Sequence, residues 1–427
     1  MSGRYLVAGL RRSGIGACEA IARVWPDAEI LAADAGTDMD VSRLEALGIE
    51  ARLGVDVAPV EGLTALVKSP GIPREAAQVA AARAAGVPVW SEVELAARMM
   101  PENPIAGVTG TNGKTTTTQL VGAMLQAGGL DAEVAGNVGR PLTDLPGRVP
   151  AATWIACELS SFQLEDIDTL RCRTAVILNL TPDHLDRHGT MEEYLRCKLR
   201  IFENQVAGDT AVLNGDVPAL RSAEVPGAGE RVLFSASDPG SLDWEHARLR
   251  GQHNLENAVA AAAVARAAGV DDAAVNAALR AFDPPPHRLQ PVAAAGGVEW
   301  VNDSKATNPD AVVKALTAFD RGVHLILGGS LKGSSYSELA AAVAAGPVVR
   351  SYLIGASADA IAAALDAAGA PYVRCGALER AVAEASAAAA SGDTVLLSPA
   401  CASFDQFRDY EERGERFAEL ARAAGTG

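Results

Sequence analysis

The string GVTGTNGKTT at 107–116 sets glycine, lysine and threonine in an order that suits a bound phosphate chain. A Gly-rich turn entered from a strand and left by a helix aims backbone N–H groups and the positive helix end at phosphate oxygens. Gly110, Thr111, Asn112 and Gly113 would form this loop, Lys114 would neutralise the terminal phosphate oxygens, and Thr115 and Thr116 offer hydroxyls, that of Thr115 to magnesium. Val108 stands where the general pattern G-x-x-x-x-G-K-[ST] has its first glycine, and Gly110 lies nearer the lysine, so the spacing predicts a shortened phosphate loop.

Other polar strings also follow strand-like runs. Glu158 opens ELSSFQL at 158–164 directly after a buried-type run, where an unpaired carboxylate is costly unless it meets a metal or a cation, and a magnesium ligand is the natural reading. NLTPDHLDRHG at 179–189 packs two Asp, two His and an Arg into a turn. His184 reads there as functional, whereas capping and local salt bridging suffice for Asp186 and His188. Lys198 lies in a helical stretch at 194–203, and read alone it is a solvated surface charge. WVNDSKATN at 300–308, LGGSLKG at 327–333 and SPACASFDQF at 398–407 set Asp303, Lys305 and Lys332 at strand ends of one sheet. Cys401 has no nearby His and reads as a core residue. At the amino end, GLRRSG at 9–14 with Asp34 further on resembles a dinucleotide turn. Arg11 replaces its middle glycine, leaving open a nucleotide diphosphate in another pose or a plain turn.

The elements that must hold these strings alternate from end to end, short apolar runs against Ala-rich stretches of helical length, which is the pattern of βαβ units. The expected fold class is α/β. A first unit opens with a strand at 5–10, a turn, a helix to about Val24 and a strand at 29–34, a Rossmann-like start. MMPENP at 99–104 reads as a linker. A second unit follows, with strand runs at 105–108, 153–156, 175–180 and 210–213 and a long helix from about Asn254. After the triple proline at 284–286, runs at 298–301, 324–327, 348–354 and 394–397 alternate with helices in a third doubly wound unit.

Composition narrows the function classes. A chain of 427 residues has room for two or three domains, and 49% hydrophobic with 21% charged residues is ordinary for a folded protein. The net charge of −16 repels nucleic acid and anionic membrane, and no apolar run reaches the roughly 18 residues of a membrane span. Six scattered cysteines without a C-x-x-C pair, and a start that runs straight into a strand, fit the cytoplasm. Arginine supplies most of the 37 basic residues, and four of the six lysines fall inside the strings above, where a guanidinium would not do the same chemistry.

Together GTNGKTT at 110–116, ELSSFQLE at 158–165, DHLDRHG at 183–189, KLRIFEN at 198–204, GQHNLENA at 251–258, PHR at 286–288, NDSKATNP at 302–309 and SPACASFDQF at 398–407 resemble the Mur ligase family over essentially the whole chain. NDSKATN and ACASFDQF are those of its D-glutamate-adding branch, and the DNPR-type string of the diaminopimelate-adding branch is absent. The resemblance implies three domains: a Rossmann-like UDP-substrate domain at 1–93, a central P-loop ATP-binding domain at 94–285, and a Rossmann-like amino-acid-binding domain at 286–427. It places the uridine substrate on Ser13, Asp34, Gly71 and Asn137, although Ala35 and Gly36 stand where the family carries polar residues. It places ATP on the 110–116 loop with Asn254, Asn257, Arg288, Asp303 and Lys305, and D-glutamate on Thr307, Lys332, Ser403, Phe404 and Tyr410.

The implied chemistry is amide synthesis. Joining a carboxylate to an amine in water needs activation, so the carboxylate of UDP-N-acetylmuramoyl-L-alanine would take the ATP γ-phosphoryl group, and the D-glutamate amine would attack the acyl phosphate. Lys114, Glu158, His184 and Lys198 would carry it, with two magnesium ions (manganese as the alternative) on Thr115, Glu158, His184 and a carbamylated Lys198. The implied protein is cytoplasmic and monomeric, with no nucleic-acid partner and no membrane insertion. A folylpolyglutamate-type ligase, a nucleotide sensor without catalysis and an NAD dehydrogenase are the competing readings; the cluster at 114, 158, 184 and 198 speaks against the sensor and Arg11 against the dehydrogenase.

Overall fold

The computed structural model describes residues 2–137, 139–249, 251–283, 286–331 and 335–424. They build three sheets. The first holds β1 (Arg4–Ala8), β2 (Glu29–Asp34), β3 (Ala51–Leu53), β4 (Ala65–Lys68) and β5 (Val89–Ser91) in the order β3-β2-β1-β4-β5, all parallel. The chain runs outward from β1 on one side and returns as β4 on the other. The carboxyl ends of these two strands therefore flank a crevice of the kind in which doubly wound sheets bind ligands.

The second sheet holds β6 (Ile105–Thr109), β7 (Ala132–Gly136), β8 (Trp154–Glu158), β9 (Thr174–Ile177), β10 (Thr210–Asn214) and β11 (Glu230–Phe234) in the order β11-β10-β9-β6-β8-β7. All its pairings are parallel, and β6, β8 and β9 are buried throughout, as a strand covered on both faces must be. Because β6 lies between β8 and β9, the loops that leave these three strands emerge side by side. The 110–116 loop, Glu158 and Asn179 all sit there.

The first two sheets form one compact unit, Met1–Asp243 with Glu256–Arg280. Within it their junction is polar. Glu94 is fully buried and accepts the backbone N–H groups of Asp168, Thr169 and Leu170, the Thr169 hydroxyl and the Arg98 guanidinium. Lys68, also fully buried, pairs with Asp166 at 2.7 Å and faces Glu165 at 3.6 Å.

The other unit, Trp244–Leu255 with Ala281–Gly427, carries the third sheet. Its strands are β12 (Gln290–Ala295), β13 (Val298–Asn302), β14 (Val323–Gly328), β15 (Val348–Ile354), β16 (Tyr372–Gly376) and β17 (Thr394–Leu397), in the order β12-β13-β17-β14-β15-β16. Only the β12–β13 hairpin is antiparallel. With β17 inserted between β13 and β14, the loops after these strands become neighbours. Among the described residues no helix is long and apolar enough to cross a membrane.

Candidate functional site

Helix Lys114–Ala127 starts straight from the loop after β6, and no side chain caps it. Its N-cap, Gly113, has φ 84°, and a Cβ there would lie 2.1 Å from Asn257 Oδ1. Glycine is required twice over, by the left-handed backbone and by the close approach of Asn257. Lys114 curls back so that Nζ donates to the carbonyls of Gly110 (2.9 Å) and Thr111 (2.7 Å). The Lys198 Nζ donates to the same Gly110 carbonyl at 2.8 Å from helix Met191–Leu199, and it lies 4.3 Å above the Tyr194 ring. Lys198 is 1% exposed, and burial, with the Lys114 charge second, holds its amine well below the usual lysine range. The residue that reads alone as a surface charge is thus a buried partner of the 110–116 loop.

Asn179 fixes the loop from the next strand. Its Oδ1 accepts from the N–H of Thr111 (3.0 Å) and Asn112 (2.8 Å), and its Nδ2 donates to the Asn112 carbonyl at 3.1 Å. The Thr111 hydroxyl donates to the Thr181 carbonyl, and Thr116 is buried in the first turn of the helix. Glu158, 3% exposed at the end of β8, accepts from Asn137 Nδ2 at 3.1 Å. A buried carboxylate at the end of β8 and the Thr115 hydroxyl in the first turn of the helix after β6 are hard-oxygen donors of the kind magnesium takes.

His184 is held at φ 55° ahead of the short helix Leu185–His188. Its side chain is half exposed, with Nε2 3.6 Å from the Asp183 carboxylate and the ring 4.9 Å from Phe162.

Ser13, Asp34, Gly71 and Asn137 line one cavity of about 580 Å³ at the crevice between β1 and β4, together with Arg11 and Arg12. Helix Arg12–Val24 opens there without a side-chain cap at Arg11, so the helix end and two guanidiniums give the cavity a positive rim. Asp34 spends its carboxylate on the turn itself, accepting from the N–H of Leu10 (2.6 Å) and Gly36 (2.7 Å). The Ser13 hydroxyl donates to that of Ser69, which donates to the Gly9 carbonyl.

In the unit of the third sheet, His287 (φ 63°) and Leu289 (φ 40°) take left-handed backbone on either side of Arg288, a strained turn. Asp303, fully buried after β13, accepts from the Ser398 hydroxyl at 2.6 Å, and burial raises its carboxyl to about 7. The Lys305 Nζ donates to the Tyr410 hydroxyl at 2.6 Å. Asn308 caps helix Pro309–Leu316 just after Thr307, so the last residues of NDSKATNP start a helix. Ser403 is buried while Phe404 stands 72% exposed, Asn254 and Asn257 are both buried, and Lys332 lies outside the described residues. Cys401 is buried, with Sγ 3.2 Å from the Ser357 and Tyr336 oxygens.

Sequence reasoning missed three residues that shape these loops. Asn179 sat inside a quoted string and Tyr194 opened the helical stretch at 194–203, but nothing in their spacing shows that one stitches the 110–116 loop and the other packs under Lys198. Arg413, fully buried, donates to the Ser304 hydroxyl and to the carbonyls of Ser304 and Cys401, tying NDSKATN to ACASFDQF. A lone Arg in a charged helical stretch gives no such signal.

The Mur ligase middle domain matches residues 108–247, and the Mur ligase glutamate ligase domain matches 287–401. UDP-N-acetylmuramoylalanine–D-glutamate ligase of Myxococcus xanthus is 44% identical, covering 98% of each chain, and that of Solibacter usitatus is 42% identical over 98% of this chain and 97% of its own. Among solved structures, the MurF ligase of Thermotoga maritima in complex with ADP covers 86% of this chain and 90% of its own at 19% identity, with a TM-score of 0.61. UDP-N-acetylmuramate-alanine ligase MurC of the same organism covers 99% and 100% at 19% identity, with a TM-score of 0.59. With both domain models matched and relatives this similar from end to end, the chain belongs to the Mur ligase family.

Proposed function

We propose that the chain is an ATP-dependent ligase that joins UDP-N-acetylmuramoyl-L-alanine to D-glutamate and releases ADP and phosphate, a step of peptidoglycan precursor synthesis. The observation that carries this is the convergence of Lys114 and Lys198 on the Gly110 carbonyl, with the buried Glu158 at the end of the strand paired with β6. Two lysine amines and a carboxylate around a Gly-rich loop suit transfer of a γ-phosphoryl group, in which positioning and charge neutralisation do most of the catalysis. The relatives' names supply the substrates.

In this reading the 110–116 loop holds the phosphates, with Lys114 on the transferring group. Asn254, Asn257, Arg288, Asp303 and Lys305 take the rest of the nucleotide. Thr115 and Glu158 would hold one magnesium ion and His184 a second, lowering the charge on the phosphate oxygens when bound. Lys198 as an ammonium is a donor and repels a cation; its carbamate, formed when the amine adds to CO2 and loses a proton, would offer two oxygens instead. The positive cavity at Ser13, Asp34, Gly71 and Asn137 takes the uridine diphosphate, and Thr307, Lys332, Ser403, Phe404 and Tyr410 take D-glutamate. The domain limits 1–93, 94–285 and 286–427 stand as part of the reading, as do a monomer and the cytoplasm, where ATP and nucleotide sugars are available.

The chemistry balances without a redox partner. A substrate carboxylate oxygen attacks the γ-phosphorus, ADP leaves, the D-glutamate amine attacks the acyl carbon, and phosphate departs with that oxygen. Phosphate release from ATP, magnesium and UDP-N-acetylmuramoyl-L-alanine is the test, run with D-glutamate, L-glutamate or neither. Release that requires the uridine substrate and D-glutamate together is expected. No release from folded protein that binds ATP would overturn the assignment.

A further inference from the structure

Glu165, His188 and Cys197 play no part in the reaction above, yet they face one another. They sit at the ends of two short helices, Ser161–Leu164 and Leu185–His188, and within helix Met191–Leu199. One ligand atom from each falls within 4.8 Å of the other two. The His188 Nδ1 lies 3.5 Å from Glu165 Oε1, while its Nε2 is engaged by the Ser161 hydroxyl at 2.9 Å. The side chains of His188 and Glu165 are 1% and 6% exposed. His188 stacks on Phe162 at 5.3 Å and meets Tyr194 at 5.0 Å, so the ring cannot swing away.

The carboxylate of Glu165 is the second, independent sign. It is more than nine-tenths buried, and no hydrogen bond from the described residues reaches its Oε2, which faces the Lys68 ammonium at 3.6 Å. A buried carboxylate oxygen whose facing cation stands beyond hydrogen-bond distance can still take a closer one.

We propose that Glu165, His188 and Cys197 form a binding site for a thiophilic divalent cation of the zinc class, separate from the magnesium sites of the phosphate loop. The donor types select the ion. One thiolate, one imidazole and one carboxylate suit zinc or cobalt, and magnesium disfavours sulfur and nitrogen. The Ser161 hydroxyl is the outer partner that metal-bound histidines ordinarily have: with Nε2–H donating to it, the Nδ1 lone pair turns toward Glu165 and Cys197. Binding releases the Cys197 proton, and thiolate, carboxylate and divalent ion then sum to no net charge, while Lys68 keeps its pair with Asp166 at 2.7 Å. The three ligands need only draw together by about 1 Å to reach tetrahedral spacing. An occupied site would tie helix Ser161–Leu164 to the helix that carries Lys198.

Cobalt is the probe, added to the full chain after chelator treatment. The expected result is one bound Co2+ with intense tetrahedral visible bands and a near-ultraviolet thiolate charge-transfer band, displaced by Zn2+ and not by a hundredfold excess of Mg2+. Cys197→Ala should abolish the thiolate band and His188→Gln should weaken binding by more than the roughly 10- to 100-fold typical of losing an outer partner, whereas Cys375→Ala, on the third sheet, should change neither. X-ray absorption on the zinc-loaded unmutated protein needs no variant to fold: one sulfur at about 2.3 Å with nitrogen and oxygen at about 2.0 Å is expected. A first shell without sulfur, displacement by Mg2+, or a thiolate band that survives Cys197→Ala would overturn the assignment.

Discussion

Replacing Glu92 by Gln should stabilise the protein above neutral pH and do little in acid. Glu92 opens helix Glu92–Met99, is 4% exposed, and accepts from Gln163 Nε2 at 2.7 Å through Oε1, while Oε2 has no partner. Burial raises its carboxyl from 4.5 to about 7, outweighing the Gln163 hydrogen bond and the Lys68 charge. The folded state therefore binds this proton more tightly than the unfolded chain does, and stability falls as pH rises from 4.5 to 7. Above 7 the ionised carboxylate costs about 3 kcal/mol. Gln keeps the size and the acceptor but carries no charge. At about 2 °C per kcal/mol for a unit of this size, the melting temperature of Glu92→Gln should exceed that of the unmutated chain by roughly 6 °C at pH 8 and by almost nothing near pH 4.5. Thermal unfolding followed by circular dichroism across this range gives the difference curve, in which all other ionisations cancel. Parallel curves, or a variant less stable at pH 8, would refute the reasoning.

Glu94 should behave oppositely. Burial alone would raise its carboxyl, but the donors from Asp168, Thr169 and Leu170 outweigh it and hold it low, so its contribution is present above the unfolded value and lost as pH falls through the folded one. Glu94→Gln should cost about 3 kcal/mol at pH 7 in a denaturant titration, and a loss under 1 kcal/mol would contradict the geometry. Gly113→Ala should lower affinity for a fluorescent ATP analogue at least tenfold, since the new Cβ meets Asn257 Oδ1 at 2.1 Å and the left-handed backbone costs about 1–3 kcal/mol more; unchanged affinity would show that Asn257 yields. Arg413→Met should destabilise the third-sheet unit by about 3 kcal/mol by orphaning the Ser304 and Cys401 carbonyls, measured by calorimetry against Arg413→Lys; equal stability of all three forms would contradict it.

Much of the fold was legible because parallel strands covered on both faces leave continuous apolar runs. The runs at 105–108, 298–301, 348–354 and 394–397 fall on β6, β13, β15 and β17. The strands that escaped are short, partly exposed or poor in β-branched residues. β12 reads QPVAAA and pairs antiparallel at an edge, β7 reads AEVAG, and β16 reads YVRCG at the opposite edge of the third sheet. The turn at 110–116 was legible because its geometry is local: Gly113 supplies the left-handed N-cap and Lys114 bonds back to Gly110 and Thr111 within one turn. Asn179, Tyr194 and Arg413 were not, since each acts through partners far away in sequence. Lys198 shows both sides. Helical spacing alone gives a surface cation, only the resemblance marks it as special, and packing against Tyr194 and Gly110 explains why it is buried.

Activation of a carboxylate by phosphoryl transfer is the central claim, and oxygen transfer tests it most directly. UDP-N-acetylmuramoyl-L-alanine carrying 18O in its terminal carboxylate is turned over with ATP, magnesium and D-glutamate, and the released phosphate is examined by mass spectrometry. One labelled oxygen in each phosphate is predicted, since the attacking oxygen leaves with the phosphoryl group. Unlabelled phosphate accompanying amide formation would contradict the account.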